Sequence, residues 1–93
     1  MEIINVNELH AFARKHANSR KSLGNWINVT ESALWNSFSE LRQTFNSADY
    51  LKDLAIFDVG GNNYRLVTSV DFENKRVYVL DVMTHAEYDR WKP

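Results

Sequence analysis

The stretch LAIFDVGGNNYRLVTSVDFENKRVYVLDVM, residues 54–83, decides the fold. Its apolar residues recur at every second position, which is the period of a β-strand, and polar turn residues interrupt it at two places. LAIFDV (54–59) reads as one strand. In YRLVTSVDF (64–72), Tyr64, Leu66, Thr68, Val70 and Phe72 share one face, and Arg65, Val67, Ser69 and Asp71 share the other. In RVYVLDVM (76–83), strict alternation sets Arg76, Tyr78, Leu80 and Val82 against Val77, Val79, Asp81 and Met83. Short polar breaks between such runs predict an antiparallel meander.

The break at Gly60-Gly61-Asn62-Asn63 has two readings. A phosphate cradle needs backbone N–H groups aimed by a following helix, and here a strand follows. Glycine and asparagine tolerate positive φ, which tight hairpins require, so the segment is read as a turn. Arg65 then falls inside a strand, where a guanidinium either faces solvent or has a partner. Asp71 and Asp81 are its candidate ion-pair partners, and a phosphate is the functional alternative.

Before residue 54 the period is helical. EIINV (2–6) reads as a short strand, and Asn7 as the cap of a helix whose face is Leu9, Phe12, Ala13, His16 and Ala17. A second helix starts near Arg20, with Leu23, Trp26, Ile27, Thr30 and Leu34 as its stripe. Gly24 inside it suggests a closely packed neighbour. Ser37 and Glu40 make a capping-box pattern for a third helix to about Phe45, and residues 46–53 read as a loop. Thr84 and Glu87 repeat that pattern ahead of a terminal helix over 85–91. One strand, two to three helices, a meander and a short terminal helix define a single α+β domain over residues 1–93, helices on an antiparallel sheet.

Composition narrows the function. The 93 residues contain no cysteine, so disulfides and thiolate metal sites are excluded. No apolar run approaches the ~20 residues of a membrane span, and the N-terminus lacks a signal-peptide pattern; a cytoplasmic protein with no membrane partner is expected. His10 and His16 lie six apart, off a common helical face, and His85 with Asp89 lacks a third ligand, so no metal or other cofactor is expected. Net charge is −1, yet residues 9–30 carry Arg14, Lys15, Arg20 and Lys21 without a single acid. One basic patch therefore sits on an otherwise acidic chain. His85, whose side-chain type titrates near neutrality, stands at the start of the last helix, with Tyr88 and Asp89 on the same side.

Residues 57–89 resemble the RelE-like HigB toxins of bacterial type II toxin–antitoxin systems. The resemblance is carried by the hairpin Gly61-Asn62-Asn63-Tyr64-Arg65 and the terminus Thr84-His85-Ala86-Glu87-Tyr88-Asp89, with Trp26 and Trp35 in the helical half. It implies a RelE-like α+β domain and a metal-independent endoribonuclease that cuts mRNA, typically on the ribosome. It also implies a partner, a HigA-type helix-turn-helix antitoxin, with the toxin a monomer alone or joined to that antitoxin in a heteromer. Such cleavage needs a base for the ribose 2′-OH, a cation for the phosphorane charge and an acid for the 5′-oxygen. On this resemblance Arg65 is the expected cation, His85 the acid or base, and Tyr88 a residue that stacks on a base or orients the phosphate. Arg14, Lys15, Arg20 and Lys21 are expected to hold the RNA backbone. A non-catalytic RNA-binding or protein-interaction module on the same fold is the alternative.

Overall fold

In the computed structural model, which describes residues 1–91, the chain opens with β1 (Glu2–Ile4) and α1 (Val6–Lys15). A 3₁₀ turn at Ala17–Ser19 leads into α2 (Arg20–Ser32), then α3 (Phe38–Thr44). The sheet follows as β2 (Asp49–Leu51), β3 (Leu54–Val59), β4 (Tyr64–Asp71) and β5 (Arg76–Thr84), and α4 (His85–Arg90) ends the described chain. The expected terminal helix over 85–91 thus stops one residue earlier.

The strand order is β1-β5-β4-β3-β2. The meander is antiparallel as expected, but β1 lies parallel to β5, pairing Glu2 with Arg76 and Ile4 with Tyr78, so the sheet is mixed. Parallel neighbours cannot be joined by a tight turn. Here nearly the whole chain, including three helices, forms the connection. β1 is also shorter than the expected 2–6. Asn5 turns into the left-handed region at φ 69, and its amide reaches the Val79 carbonyl at 3.4 Å. Asn5, not Asn7, is therefore the residue before α1, since asparagine accepts that backbone conformation.

Part of the expected loop 46–53 is strand. β2 and β3 pair across Lys52-Asp53, whose φ values of 51 and 66 are those of a type I′ hairpin. Lys-Asp is not the usual Asn-Gly signal, which is why the hairpin was not legible.

One face of the sheet carries the core. Leu9, Ala13, Leu23, Trp26, Trp35 and Leu41 from the helices meet Ala55, Phe57, Val59, Leu66, Val77 and Val79. Trp26 and Phe45 each set an edge against Phe57 at 5.3 Å between ring centroids, and Trp35 reaches Phe45 at 5.9 Å. Each fully buried side chain of this size contributes about 1.5–3 kcal/mol. Leu34 is outside this core and 71% exposed, because α2 ends at Ser32 and the chain turns extended at Ala33. Gly24 has no neighbour near the position its Cβ would take, so close packing does not explain it.

The alternation expected for β5 breaks in the middle. Val67 pairs with Asp81 but Thr68 with Val79, leaving Leu80 as an extra residue that is 52% exposed. Such a bulge advances the strand by one position. Val82 therefore joins Val77 and Val79 on the core side, and Met83 moves to the opposite face. There Met83 meets Ile56 and Val67 in a small second cluster, covered by Tyr88 and Trp91.

Candidate active site

Arg65 is the buried charge around which this second face is arranged. It lies directly opposite Asp58 in the β3–β4 ladder, and its Nε is 3.1 Å from Asp58 Oδ1. Asp71 instead faces Arg76 and Asp81 faces Val67, so neither expected partner is the one used. Nη1 donates to the carbonyls of Asn62 and Tyr64, at 3.3 and 3.2 Å, and Nη2 donates to Asn62 Oδ1 at 2.6 Å. A guanidinium has five N–H groups, so one on Nη2 stays uncommitted among the described residues. Arg65 is only 8% exposed.

The hairpin is built for this. Gly60 and Gly61 adopt φ 66 and 67, and Asn63 N–H closes the turn on the Gly60 carbonyl at 3.3 Å. A Cβ on Gly60 would meet the Tyr64 ring at 3.0 Å, so a larger residue there is strained by its backbone and requires Tyr64 to shift. Asn62 then binds Arg65, while the Asn63 carbonyl accepts the His85 backbone N–H at 2.9 Å. One hairpin thus anchors both the arginine and the start of α4.

Helix α4 carries the remaining groups. Its capping box is complete: Glu87 N–H donates to Thr84 Oγ1 at 3.2 Å, and Thr84 N–H to Glu87 Oε1 at 2.8 Å. That second bond holds the Glu87 carboxyl below its ordinary range, with help from the Thr84 side chain and from nearby Arg90. The Tyr88 ring lies 5.4 Å from the Arg65 guanidinium carbon and stacks on Trp91 at 5.6 Å. His85 Nε2 lies 3.5 Å from Asp89 Oδ2, and its buried Nδ1 has no hydrogen-bond partner among the described residues.

The basic patch divides. Ser22, on the first turn of α2, stands 3.6 Å from where a Gly60 Cβ would be, which brings the start of α2 to the hairpin. Lys21 and Asp58 border the same groove. Arg14 and Lys15 lie on the last turn of α1, and Lys15 borders Glu8, Phe12, Asp81 and Val82 instead. Sequence reasoning missed Asp58 and Asn62, because pairing partners follow from strand register. It also missed His16, whose ring stacks on Phe12 at 4.2 Å and sets an edge against Tyr64 at 6.2 Å.

Residues 19–91 match the HigB toxin family, described as the RelE-like toxic component of a toxin-antitoxin system. The chain belongs to that family. It is similar to the mRNA interferase HigB of Escherichia coli O6:H1, with 33% identity over 97% of this chain and 90% of that protein. It is equally similar to the mRNA interferase toxin HigB of Escherichia coli K12 and to the mRNA interferase HigB of Shigella flexneri. For each, identity is 34% over 96% of this chain and 88% of the relative. Arg20, Lys21, Arg65, His85 and Tyr88 all fall inside the part that matches the HigB toxin family, whereas Arg14 and Lys15 precede it.

Proposed function

We propose that this protein is the toxin of a type II toxin–antitoxin pair and an endoribonuclease that cleaves mRNA on the ribosome, in the cytoplasm. One observation carries the reading. The Gly60–Asn63 hairpin gathers Arg65, His85 and Tyr88 beside the basic start of α2, where a single-stranded phosphate backbone would lie. The names of its relatives support mRNA as the substrate. The partner is a HigA-type helix-turn-helix antitoxin that silences the site until it is degraded.

The reaction follows from the groups present. A base removes the ribose 2′-proton, O2′ attacks the adjacent phosphorus, and the bond to the 5′-oxygen breaks as an acid protonates it. The products are a 2′,3′-cyclic phosphate and a free 5′-hydroxyl. His85 performs one of these proton transfers through Nε2, since its Nδ1 is buried. The uncommitted Nη2 N–H of Arg65 meets the growing charge on the phosphorane, and the Tyr88 hydroxyl holds a non-bridging oxygen. Asp58 fixes the arginine without consuming that last donor.

Induced expression should arrest growth, and primer extension should show new mRNA ends carrying 5′-hydroxyls. Wild-type protein that accumulates while mRNA stays intact would sink the nuclease reading and favour a binding module.

A further inference from the structure

Strand β5 has a free stretch of edge that leads into the site described above. β1 covers its outer side only as far as Tyr78, and Asn5 Nδ2 then reaches the Val79 carbonyl at 3.4 Å. From Leu80 to Thr84 no strand lies on that side among the described residues. An unpaired strand edge is a template for pairing with another chain. Here two backbone donors, two residues apart as in a β-ladder, are held by carboxylates of the chain itself. Val82 N–H donates to Asp81 Oδ1 at 2.8 Å, and Thr84 N–H donates to Glu87 Oε1 at 2.8 Å. Asp81 and Glu87 therefore act in place of the carbonyls of a neighbouring strand.

The surroundings suit an extended chain. Two clefts of about 180 and 320 Å³ share Asp81 and Val82, so they join along the edge. Phe12 lines one and Trp91 the other, which offers apolar contact to alternate side chains of an added strand. The charge selects its composition. Glu8, Asp81 and Glu87 border the clefts against only Lys15 and Arg90. A strand that takes both N–H groups also releases the Asp81 and Glu87 carboxylates, and carboxylates covered by a partner need cations. The occupant is basic as well as extended.

Docking here reaches the chemistry. The Thr84–Glu87 bond is half of the capping box that starts α4, the helix that carries His85 and Tyr88. Transfer of the Thr84 N–H to an added strand breaks that box. In a toxin–antitoxin pair, the chain that docks on the toxin and disables it is the antitoxin.

We propose that the β5 edge from Leu80 to Thr84 docks an extended, basic segment of the antitoxin as an added strand, which opens the cap of α4 and displaces His85 and Tyr88. The silencing rests on the ribonuclease reading; the docking of a strand does not.

The test separates the two. Isotope-labelled full-length protein is titrated with an alternating Lys-Val octapeptide, blocked at both ends, following the Val82 and Thr84 backbone N–H signals. Matching Glu-Val and Lys-Pro peptides are the controls for charge and for strand formation. The Lys-Val peptide should shift both signals saturably, and the two controls should leave them in place. Unmoved signals mean that Asp81 and Glu87 only guard the edge, and overturn the proposal. So do equal shifts with Lys-Pro, or shifts that grow with protein concentration alone, which would mark a second copy as the occupant. Asp81→Lys should reverse the preference, binding Glu-Val severalfold more tightly than Lys-Val; an unchanged preference would overturn the basic character of the segment. In a second arm, saturating Lys-Val peptide should slow RNA cleavage severalfold in the wild type but not in Asp81→Lys, which distinguishes docking from capture of the RNA by the peptide. An unchanged wild-type rate would remove the silencing. Failure of the wild type to cleave counts against the nuclease, and the titration still decides the edge.

Discussion

Asp58 and Arg65 face each other across β3 and β4, and the carboxylate is the charge that lets the guanidinium sit 8% exposed inside the sheet. The pair closes a chain of contacts that runs from Asn62 through Arg65 to Tyr88. Removing Asp58 leaves a desolvated cation, so Asp58→Ala is expected to cost about 1–3 kcal/mol, below the 3–5 of a fully buried pair because Asp58 is itself 31% exposed. Arg65→Lys will not rescue the fold, since an ammonium cannot span Asp58, Asn62 and Tyr64 together. Urea unfolding of the two single variants and the double variant gives the coupling.

His85→Ala should lower mRNA cleavage by about 10²–10⁴-fold, the usual worth of one proton-transfer group, with little change in stability because the side chain is 43% exposed. Tyr88→Phe keeps the ring against Arg65 and Trp91 and removes only the hydroxyl. Cleavage should fall while the melting temperature holds. Single-turnover rates on a defined RNA, read beside thermal melts, check both.

Arg20 and Lys21 start α2, where the helix dipole disfavours cations. Replacing both with glutamine should therefore leave stability unchanged or slightly higher. RNA affinity should weaken, and the slope of log K against log salt should flatten by about 1.4, at roughly 0.7 per lost phosphate contact. The same replacement of Arg14 and Lys15, which border a different surface, should change the slope less. Filter binding at several salt concentrations measures this.

Gly24 is in a helix with open space at its Cβ position. Gly24→Ala should stabilise the protein by about 0.5–1 kcal/mol and raise the melting temperature by several degrees. A decrease in calorimetry would show a contact that the free space does not suggest.

Two carboxyls tie stability to pH. The Thr84 N–H holds Glu87 below its ordinary value of 4.5, and the Asn74 side-chain amide, followed by the Asn74 N–H, holds Asp71 below 3.8. Both folded values lie below the unfolded ones. Their contribution is complete above the unfolded values and is lost as pH falls through the folded ones. The Glu87→Gln, Asp71→Asn double variant should show a shallower loss of melting temperature on acidification below about pH 5 than the wild type. Parallel slopes would mean that other carboxyls carry the dependence.

What the sequence determined by itself was whatever depends on near neighbours. The strands at 54–59 and 64–71, the hairpin at Gly60–Asn63, the cap pairs Ser37/Glu40 and Thr84/Glu87, and the start of α2 follow from local periodicity and turn chemistry. That Arg65 directly follows this hairpin and that His85 opens the terminal helix was legible for the same reason. What only the tertiary structure decided depends on register and on long-range pairing. The bulge at Leu80 moves Val82 to the core and Met83 to the opposite face, because one extra residue inverts every side chain beyond it. Asp58 becomes the partner of Arg65 because β3 aligns there, although Asp71 and Asp81 are equally acidic. The parallel placement of β1 and the separation of Lys15 from Lys21 arise from where whole elements pack, which charge and period along the chain do not encode.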